Sequence, residues 1–242
     1  MMTYRGFHYR FNAGILLVLA AIAFVDGILG TTLVVSGVLS IVVIAFTFPW
    51  DNAAVRRGIW DFPEDRILFR VQFLPIEEIL FFVLQTLIVG LFTSILSSRL
   101  TRIPTVVADI TSPTTITSIL LVLCVWGTVG YLTRRRRRER RRSSYADHLL
   151  FWFLPIIVLQ WTFGWQILAP YADLVILSAS VWGAYYTLAD IVAVRQGIWF
   201  FDREQTTGLT IGPLPWEEVA FFFLTSLLVA QSVLLLLPQN LR

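Results

Sequence analysis

Lysine is missing from all 242 positions, and every one of the 19 basic residues is arginine. Without a lysine there is no Schiff base, which excludes a retinal pigment and lysine-anchored pyridoxal phosphate alike. The single cysteine, Cys124, cannot form an intrachain disulfide, and with only two histidines beside it the chain is a poor candidate for a zinc site. Charge is also scarce, at 14% of residues, against about 25% in soluble domains. Apolar side chains fill the gap: 57% of residues are hydrophobic and the mean hydropathy is +0.73. This balance predicts an all-α integral membrane protein. The net charge of +3 is no nucleic-acid signature, because the excess lies in one run, Arg134–Arg142, broken only by Glu139. Such a run beside an apolar segment fixes topology and touches anionic lipid headgroups.

Seven apolar runs follow one another, over residues 11–30, 33–51, 73–96, 116–132, 149–169, 173–194 and 214–237. About 20 residues suffice to cross a hydrocarbon core; the fourth run is the shortest. Gly30-Thr31-Thr32 is expected to turn the chain between the first two, and Pro155 to kink the fifth. Arg5 and Arg10 before the first run faintly resemble a signal peptide, but no small-residue cleavage site follows, so a retained first helix is expected. With the N-terminus on one side, seven crossings place sixteen arginines on that side and three on the other. The bias predicts a cytoplasmic N-terminus, an outside C-terminus and a multi-pass cell-membrane protein, and it requires the fourth run to span.

The second half repeats the first. At an offset of 139 to 140, Asp51 falls on Asp190, Arg56 on Arg195 and Gly58-Ile59-Trp60 on Gly197-Ile198-Trp199. Pro75-Ile76-Glu77-Glu78 then falls on Pro215-Trp216-Glu217-Glu218, and Phe81-Phe82 on Phe221-Phe222. The expected organisation is a first repeat over 1–98, a linker with the fourth span and the arginine run over 99–147, and a second repeat over 148–242. Three spans per repeat and one linking span make the repeats parallel, related by a pseudo-twofold axis along the membrane normal.

Two adjacent carboxylates at the mouth of a membrane helix carry the strongest chemical signal. A proline suits the first turn of a helix, and the helix dipole favours acidic residues there, so each phrase could be only a helix start. Its repetition in an apolar context favours function. Glu77, Glu78 and Asp51, and likewise Glu217, Glu218 and Asp190, are expected at one depth. Like charges partly out of water leave one carboxyl neutral and able to donate a proton. Arg56 and Arg195 would hold a partner ionised, or form only a surface ion pair. Phe81, Phe82, Phe221 and Phe222 lie one turn deeper, with Trp60, Trp199 and Trp216 near in sequence. Aromatic faces stabilise a cation by about 0.5 to 2 kcal/mol; ordinary packing and an interfacial aromatic belt are the plainer alternatives. His8 and His148 align at the starts of the first and fifth runs, as proton relays or, more plainly, as headgroup-zone residues. Asp26 reads as a solvated helix end.

Two three-helix repeats, each with Asp…Gly-x-Trp…Pro-x-Glu-Glu-x-x-x-Phe, resemble the membrane-integral lycopene β-cyclases, in which the repeats occur fused or as separate subunits. The resemblance covers nearly the whole chain. It implies an isomerase of carotenoid biosynthesis that closes the ψ-ends of lycopene to β-rings, giving β-carotene through γ-carotene. It implies lycopene drawn from the bilayer as the partner and no cofactor; no Gly-x-Gly-x-x-Gly phrase of the flavin-containing cyclases occurs. The resemblance does not assign donor and acceptor among the four glutamates or an oligomeric state. A cyclase of C50 carotenoids would carry the same motifs. A proton-coupled transporter would carry polar residues at mid-depth, where these helices are almost wholly apolar. A Glu-Glu intramembrane protease would need an arginine after the pair, and Ile79–Phe82 has none.

Overall fold

The computed structural model describes residues 2–100, 112–139 and 145–241. Long helices dominate it. Helix α1 covers Tyr4–Val25 and contains a π-helical stretch, Tyr9–Ala13. It is followed by α2 (Leu29–Arg56), α3 (Ile76–Arg99), α4 (Pro113–Glu139), α5 (Tyr145–Leu168), α6 (Ala172–Arg195) and α7 (Trp216–Leu236). Among the described residues, six segments are long and apolar enough to cross a membrane. One of them, Tyr145–Arg195, holds both α5 and α6, which are separated by a 3-10 turn at Ala169–Tyr171.

Helices α3 and α7 pack on each other at the centre. Helix α2 lies along α3 and α6 along α7; α1 leans on α3, α5 on α7, and α4 packs against α5. In each half the third helix thus packs on both of the others.

The polar stretches between helices are more ordered than their composition suggests. Strand β1 (Trp60–Asp61) pairs antiparallel with β4 (Phe200–Phe201), joining the first connection to the second. Strands β2 (Arg70–Val71) and β3 (Leu74–Pro75) form a hairpin before α3, and β5 (Thr210–Ile211) and β6 (Leu214–Pro215) form its counterpart before α7. Both hairpins turn through a left-handed residue, Gln72 at φ 59° and Gly212 at φ 62°. Glycine adopts that backbone freely; Gln72 does not, and Asn52 Oδ1 accepting from Phe73 N (2.9 Å) and Arg70 Nη1 donating to Phe73 O (2.7 Å) hold its turn in place.

The repeated Gly-Ile-Trp phrase has a local cause. Gly58 (φ 70°) and Gly197 (φ 65°) end α2 and α6 in left-handed conformation. The Gly58 amide reaches Val55 O and the Ile59 amide reaches Ala54 O; Gly197 and Ile198 reach Val194 O and Ala193 O. This satisfies the last helical carbonyls, and the following isoleucine, fully buried in both copies, supplies the apolar contact that such an ending uses.

Several boundaries differ from the sequence reading. The first helix starts at Tyr4 rather than near residue 11, because one face of its first turns, Tyr4, Phe7, His8 and Asn12, is buried against the rest of the fold. The first turn lies at Gly27 (φ 72°), not at Gly30-Thr31-Thr32, which are helical. Asp26 is not merely solvated: it forms a two-pronged ion pair with Arg99, with Nη2 at 2.9 Å from Oδ2 and Nε at 3.0 Å. Pro75 and Pro215 stand just before α3 and α7 as N-caps, not inside the first turn. The arginine run begins inside α4; its residues 140–142 lie outside the described residues.

Candidate active site

A pocket with about 490 Å³ of empty space, its open mouth included, lies where the two copies of the motif face each other. Its carboxylates are Glu78 from α3, Glu218 from α7 and Asp51 from α2. Its walls are Phe81 and Phe82, Phe221 and Phe222, and Trp60 and Trp199, with Phe62 and Phe201 from the connecting loops. Tyr4, Phe7, Trp50, Tyr145 and Tyr186 complete the lining.

Helical geometry explains which glutamate of each pair enters. Adjacent residues diverge by about 100° around a helix. Glu78 and Glu218 turn toward the cavity, and Phe82 and Phe222, four residues on, lie below them on the same faces. Glu77 and Glu217 turn the other way, outside the lining. Glu77 Oε1 accepts from the Leu68 amide (2.9 Å) and Glu217 Oε1 from the Thr207 amide (2.7 Å). These two are buried anchors that tie each hairpin loop to the first turn of its helix.

Each inward glutamate has a tyrosine partner. The Tyr4 hydroxyl donates to Glu78 Oε2 at 2.6 Å, and the Tyr145 hydroxyl donates to Glu218 Oε2 at 2.6 Å. Both tyrosines are 1% exposed. The sequence reading missed them, although a signal was there: they stand four and three residues before the matched His8 and His148, and the one-residue shift hid the correspondence.

The aspartates differ from each other. Asp190 is buried behind the lining, accepting from Trp199 Nε1 at 2.6 Å. Asp51 is equally buried and lines the cavity itself. Their expected partners, Arg56 and Arg195, are exposed, and no ion pair among the described residues joins them to the aspartates. The arginines are the last residues of α2 and α6, where water solvates them better than a buried carboxylate could. Trp216 is also outside the cavity, 37% exposed and donating to Thr207 Oγ1 (2.6 Å).

The histidines are buried, not surface residues. His8 Nε2 meets the Glu77 carbonyl oxygen at 2.9 Å, and Asn12 Nδ2 meets His8 Nδ1 at 2.9 Å. A carbonyl can only accept, so Nε2 carries the hydrogen and Nδ1 accepts from Asn12. Asn12 Oδ1 in turn accepts from Tyr186 of the cavity wall at 3.2 Å. The second copy departs here: His148 Nε2 meets the Trp50 carbonyl oxygen at 3.0 Å, and Trp152 stands where Asn12 would be.

The lining holds three carboxyl groups and no cationic side chain. Three carboxylates on one apolar space cannot all be ionised, so the site retains a proton. Around it the rings form a continuous wall: Phe81 lies 5.3 Å from Tyr186 and 6.3 Å from Phe222, and Trp50 lies 5.5 Å from Phe221. Such a site can give a proton to an apolar substrate, bathe the resulting cation in ring faces and take a proton back.

The profile of the lycopene cyclase family matches the chain twice, over residues 7–96 and 144–236. The chain belongs to the lycopene cyclase family. Both matched segments contain the full Asp, Gly-x-Trp and Pro-x-Glu-Glu set, so each contributes one inward glutamate to the cavity. Among curated proteins, this cyclase-family chain is 32% identical over 200 residues to a lycopene beta-cyclase of Halobacterium salinarum, covering 82% of this chain and 80% of that protein. It is 28% identical to a bifunctional lycopene cyclase/phytoene synthase of Aspergillus niger, over 79% of this chain and 33% of the relative. A fungal relative of the same description from Phycomyces blakesleeanus is 29% identical over 93% of this chain. No solved structure matches.

Proposed function

We propose that this chain is a lycopene β-cyclase, converting the ψ-ends of lycopene to β-rings by acid catalysis within the membrane. The observation that carries this reading is the meeting of Glu78 and Glu218, each held by a tyrosine, in one aromatic cavity. One glutamic acid protonates the terminal alkene. The tertiary cation is attacked by the next alkene, the ring closes, and loss of a ring hydrogen to a carboxylate restores a double bond. Phe81, Phe82, Phe221 and Phe222 stabilise the cation, with Trp60 and Trp199 closing the wall. Asp51 adds negative potential beside the cation, and Asp190 positions Trp199. Glu77 and Glu217 hold the loops, and Trp216, Arg56 and Arg195 take no direct part. The reaction is redox-neutral.

The chain crosses the cell membrane seven times, with the N-terminus cytoplasmic and the C-terminus outside. A single helix over Tyr145–Arg195 would be roughly 75 Å long at 1.5 Å per residue, more than twice a hydrocarbon core, so α5 and α6 count as two spans. The repeats then lie parallel about a pseudo-twofold axis, with boundaries at 1–98 and 148–242 and the linker at 99–147. The matching helix contacts and the twofold profile match support this arrangement. The run Arg134–Arg142 sits against anionic lipid heads on the cytoplasmic face.

The test is expression in a lycopene-accumulating host followed by pigment chromatography. β-Carotene, preceded by γ-carotene, is the expected product. Unchanged lycopene at normal protein levels would overturn the reading.

A further inference from the structure

We propose that the two hairpins before α3 and α7 are seated in the lipid bilayer, at the boundary between headgroups and acyl chains, rather than in the cytoplasm. This rests on the membrane-spanning reading above. Both hairpins turn apolar side chains outward. Phe69 is 57% exposed, and its match in the second copy, Leu209, is 66% exposed. Phe73 and Ile211 of the same hairpins are exposed too. None of the four lines the pocket. Single exposed apolar side chains need no cover, but clusters repeated at the same place in both copies mark a membrane or partner surface.

The cover is identified by where each cluster leads. The Ile76 amide donates to the Phe69 carbonyl oxygen at 3.0 Å, and the Trp216 amide to that of Leu209 at 3.0 Å. Each hairpin is thus pinned to the first residue of the helix that follows. From Ile76 one face of α3 runs through Leu80 and Leu84, at i+4 and i+8; from Trp216 the matching face of α7 runs through Ala220 and Leu224. Every one of these positions is apolar and exposed or half-buried, so these are the faces that α3 and α7 turn to lipid. No charged residue interrupts either series. The lipid-facing stripe of each helix therefore continues onto its hairpin, and the acyl chains that cover the stripe reach the hairpin at its end.

Two further features set the depth. Trp216, which stays outside the pocket, donates from Nε1 to Thr207 Oγ1 at 2.6 Å and so fixes its ring at the helix start; an indole there suits the headgroup zone. Arg56 and Arg195, exposed at the ends of α2 and α6, give the same end of the bundle the positive charge that anionic headgroups attract. Elements seated at this boundary lie about 5 to 10 Å into the membrane. The hairpin amides of Leu68 and Thr207 are held by Glu77 and Glu217, each one residue, about 1.5 Å of helix rise, before an inward acid. The polyene end then reacts just beneath the membrane surface, where water can return a lost proton, and not at the bilayer midplane.

The test measures depth in the full chain. Cys124 is the only cysteine, so a Cys124→Ser background accepts single cysteines by Phe69→Cys, Leu209→Cys, Leu80→Cys or Arg203→Cys. Each carries an environment-sensitive fluorophore and is reconstituted into vesicles of phosphatidylcholine and phosphatidylglycerol. The quenchers are a lipid spin-labelled near the head of its acyl chain and, on both sides of the vesicle, iodide. The labels at positions 69 and 209 are expected to show blue-shifted emission, loss of intensity to the spin-labelled lipid and protection from iodide, with the reverse at position 203. Iodide quenching at 69 and 209 as strong as at 203 overturns the proposal. Protection from both quenchers means that protein, such as a second copy of the chain, covers the hairpins, and overturns it as well. Position 80 in lipid with 69 and 209 in water removes this proposal alone, whereas iodide reaching position 80 overturns the membrane-spanning reading itself. Should Phe69→Cys or Leu209→Cys fail to accumulate, Phe73→Cys and Ile211→Cys report on the same hairpins.

Discussion

Replacing Tyr145 by phenylalanine is the most direct probe of how the carboxyl groups are managed. The change removes one oxygen and leaves the ring, which packs 5.1 Å from Trp60 in the cavity wall. The lost interaction is a 2.6 Å hydrogen bond to Glu218 Oε2 in a site almost closed to water. While Glu218 holds its proton, the bond is an ordinary one. Once the proton has gone to the alkene, the hydroxyl faces a full carboxylate, and hydrogen bonds to charged groups contribute about 1.5 to 3 kcal/mol. The tyrosine therefore stabilises the state after proton transfer more than the state before it. Against an ordinary bond of about 1 kcal/mol the difference is about 0.5 to 2 kcal/mol, which at 1.36 kcal/mol per decade corresponds to a rate reduction of about twofold to thirtyfold. The assay is the initial rate of lycopene consumption in membranes, with protein level measured in parallel. By the same argument Tyr4→Phe slows the reaction only where Glu78 is the donor, so the pair of variants tells which glutamic acid gives the proton. Full activity in both variants would refute the reasoning, since the hydroxyls would then be bonded to groups that do not change charge in the reaction.

Other consequences are more local. Glu77→Ala and Glu217→Ala orphan the amides of Leu68 and Thr207, and each should cost about 1 to 3 kcal/mol of stability, read as a lower melting temperature in detergent; the glutamine variants keep an acceptor oxygen and should remain active. Gln72→Gly should raise stability by about 1 kcal/mol, because it relieves a left-handed residue that carries a Cβ; the matching Gly212 already has this form. A Cβ at Gly90 would overlap Ser36 Oγ where α2 meets α3. Gly90→Ala should therefore destabilise by about 1 to 3 kcal/mol, with recovery in the Gly90→Ala/Ser36→Gly double variant. Phe81→Leu should slow turnover by up to about thirtyfold, the equivalent of one ring–cation contact of about 2 kcal/mol, with little change in the amount of protein in the membrane.

Much of this protein can be read from its residues in order. Apolar runs of bilayer length cannot remain in water, so the helical membrane architecture follows from composition. The duplication is visible because Asp, Gly-Ile-Trp and Pro-x-Glu-Glu recur in one order at one offset. The glycine of Gly-Ile-Trp has a conformational cause that any chain would share, a helix that must end in left-handed backbone. Even the division of labour within Glu77-Glu78 was half legible, since neighbours on a helix cannot face the same way.

Tertiary structure alone decided which one faces in. That depends on how α3 and α7 are rotated against each other, and rotation is set by packing along their whole length. The same is true of Tyr4 and Tyr145, whose distance along the chain from the glutamates, 74 and 73 residues, leaves no local trace. Arg56 and Arg195 show the opposite error. Close in sequence to Asp51 and Asp190, they point to solvent, because a guanidinium keeps its hydration more cheaply than it follows a carboxylate into an apolar interior. The sequence determined that this is a duplicated membrane protein carrying acids at the mouths of its helices. The fold decided that one acid from each copy shares a single aromatic cavity, because only the packing of one repeat against the other brings residues 140 positions apart onto the same space.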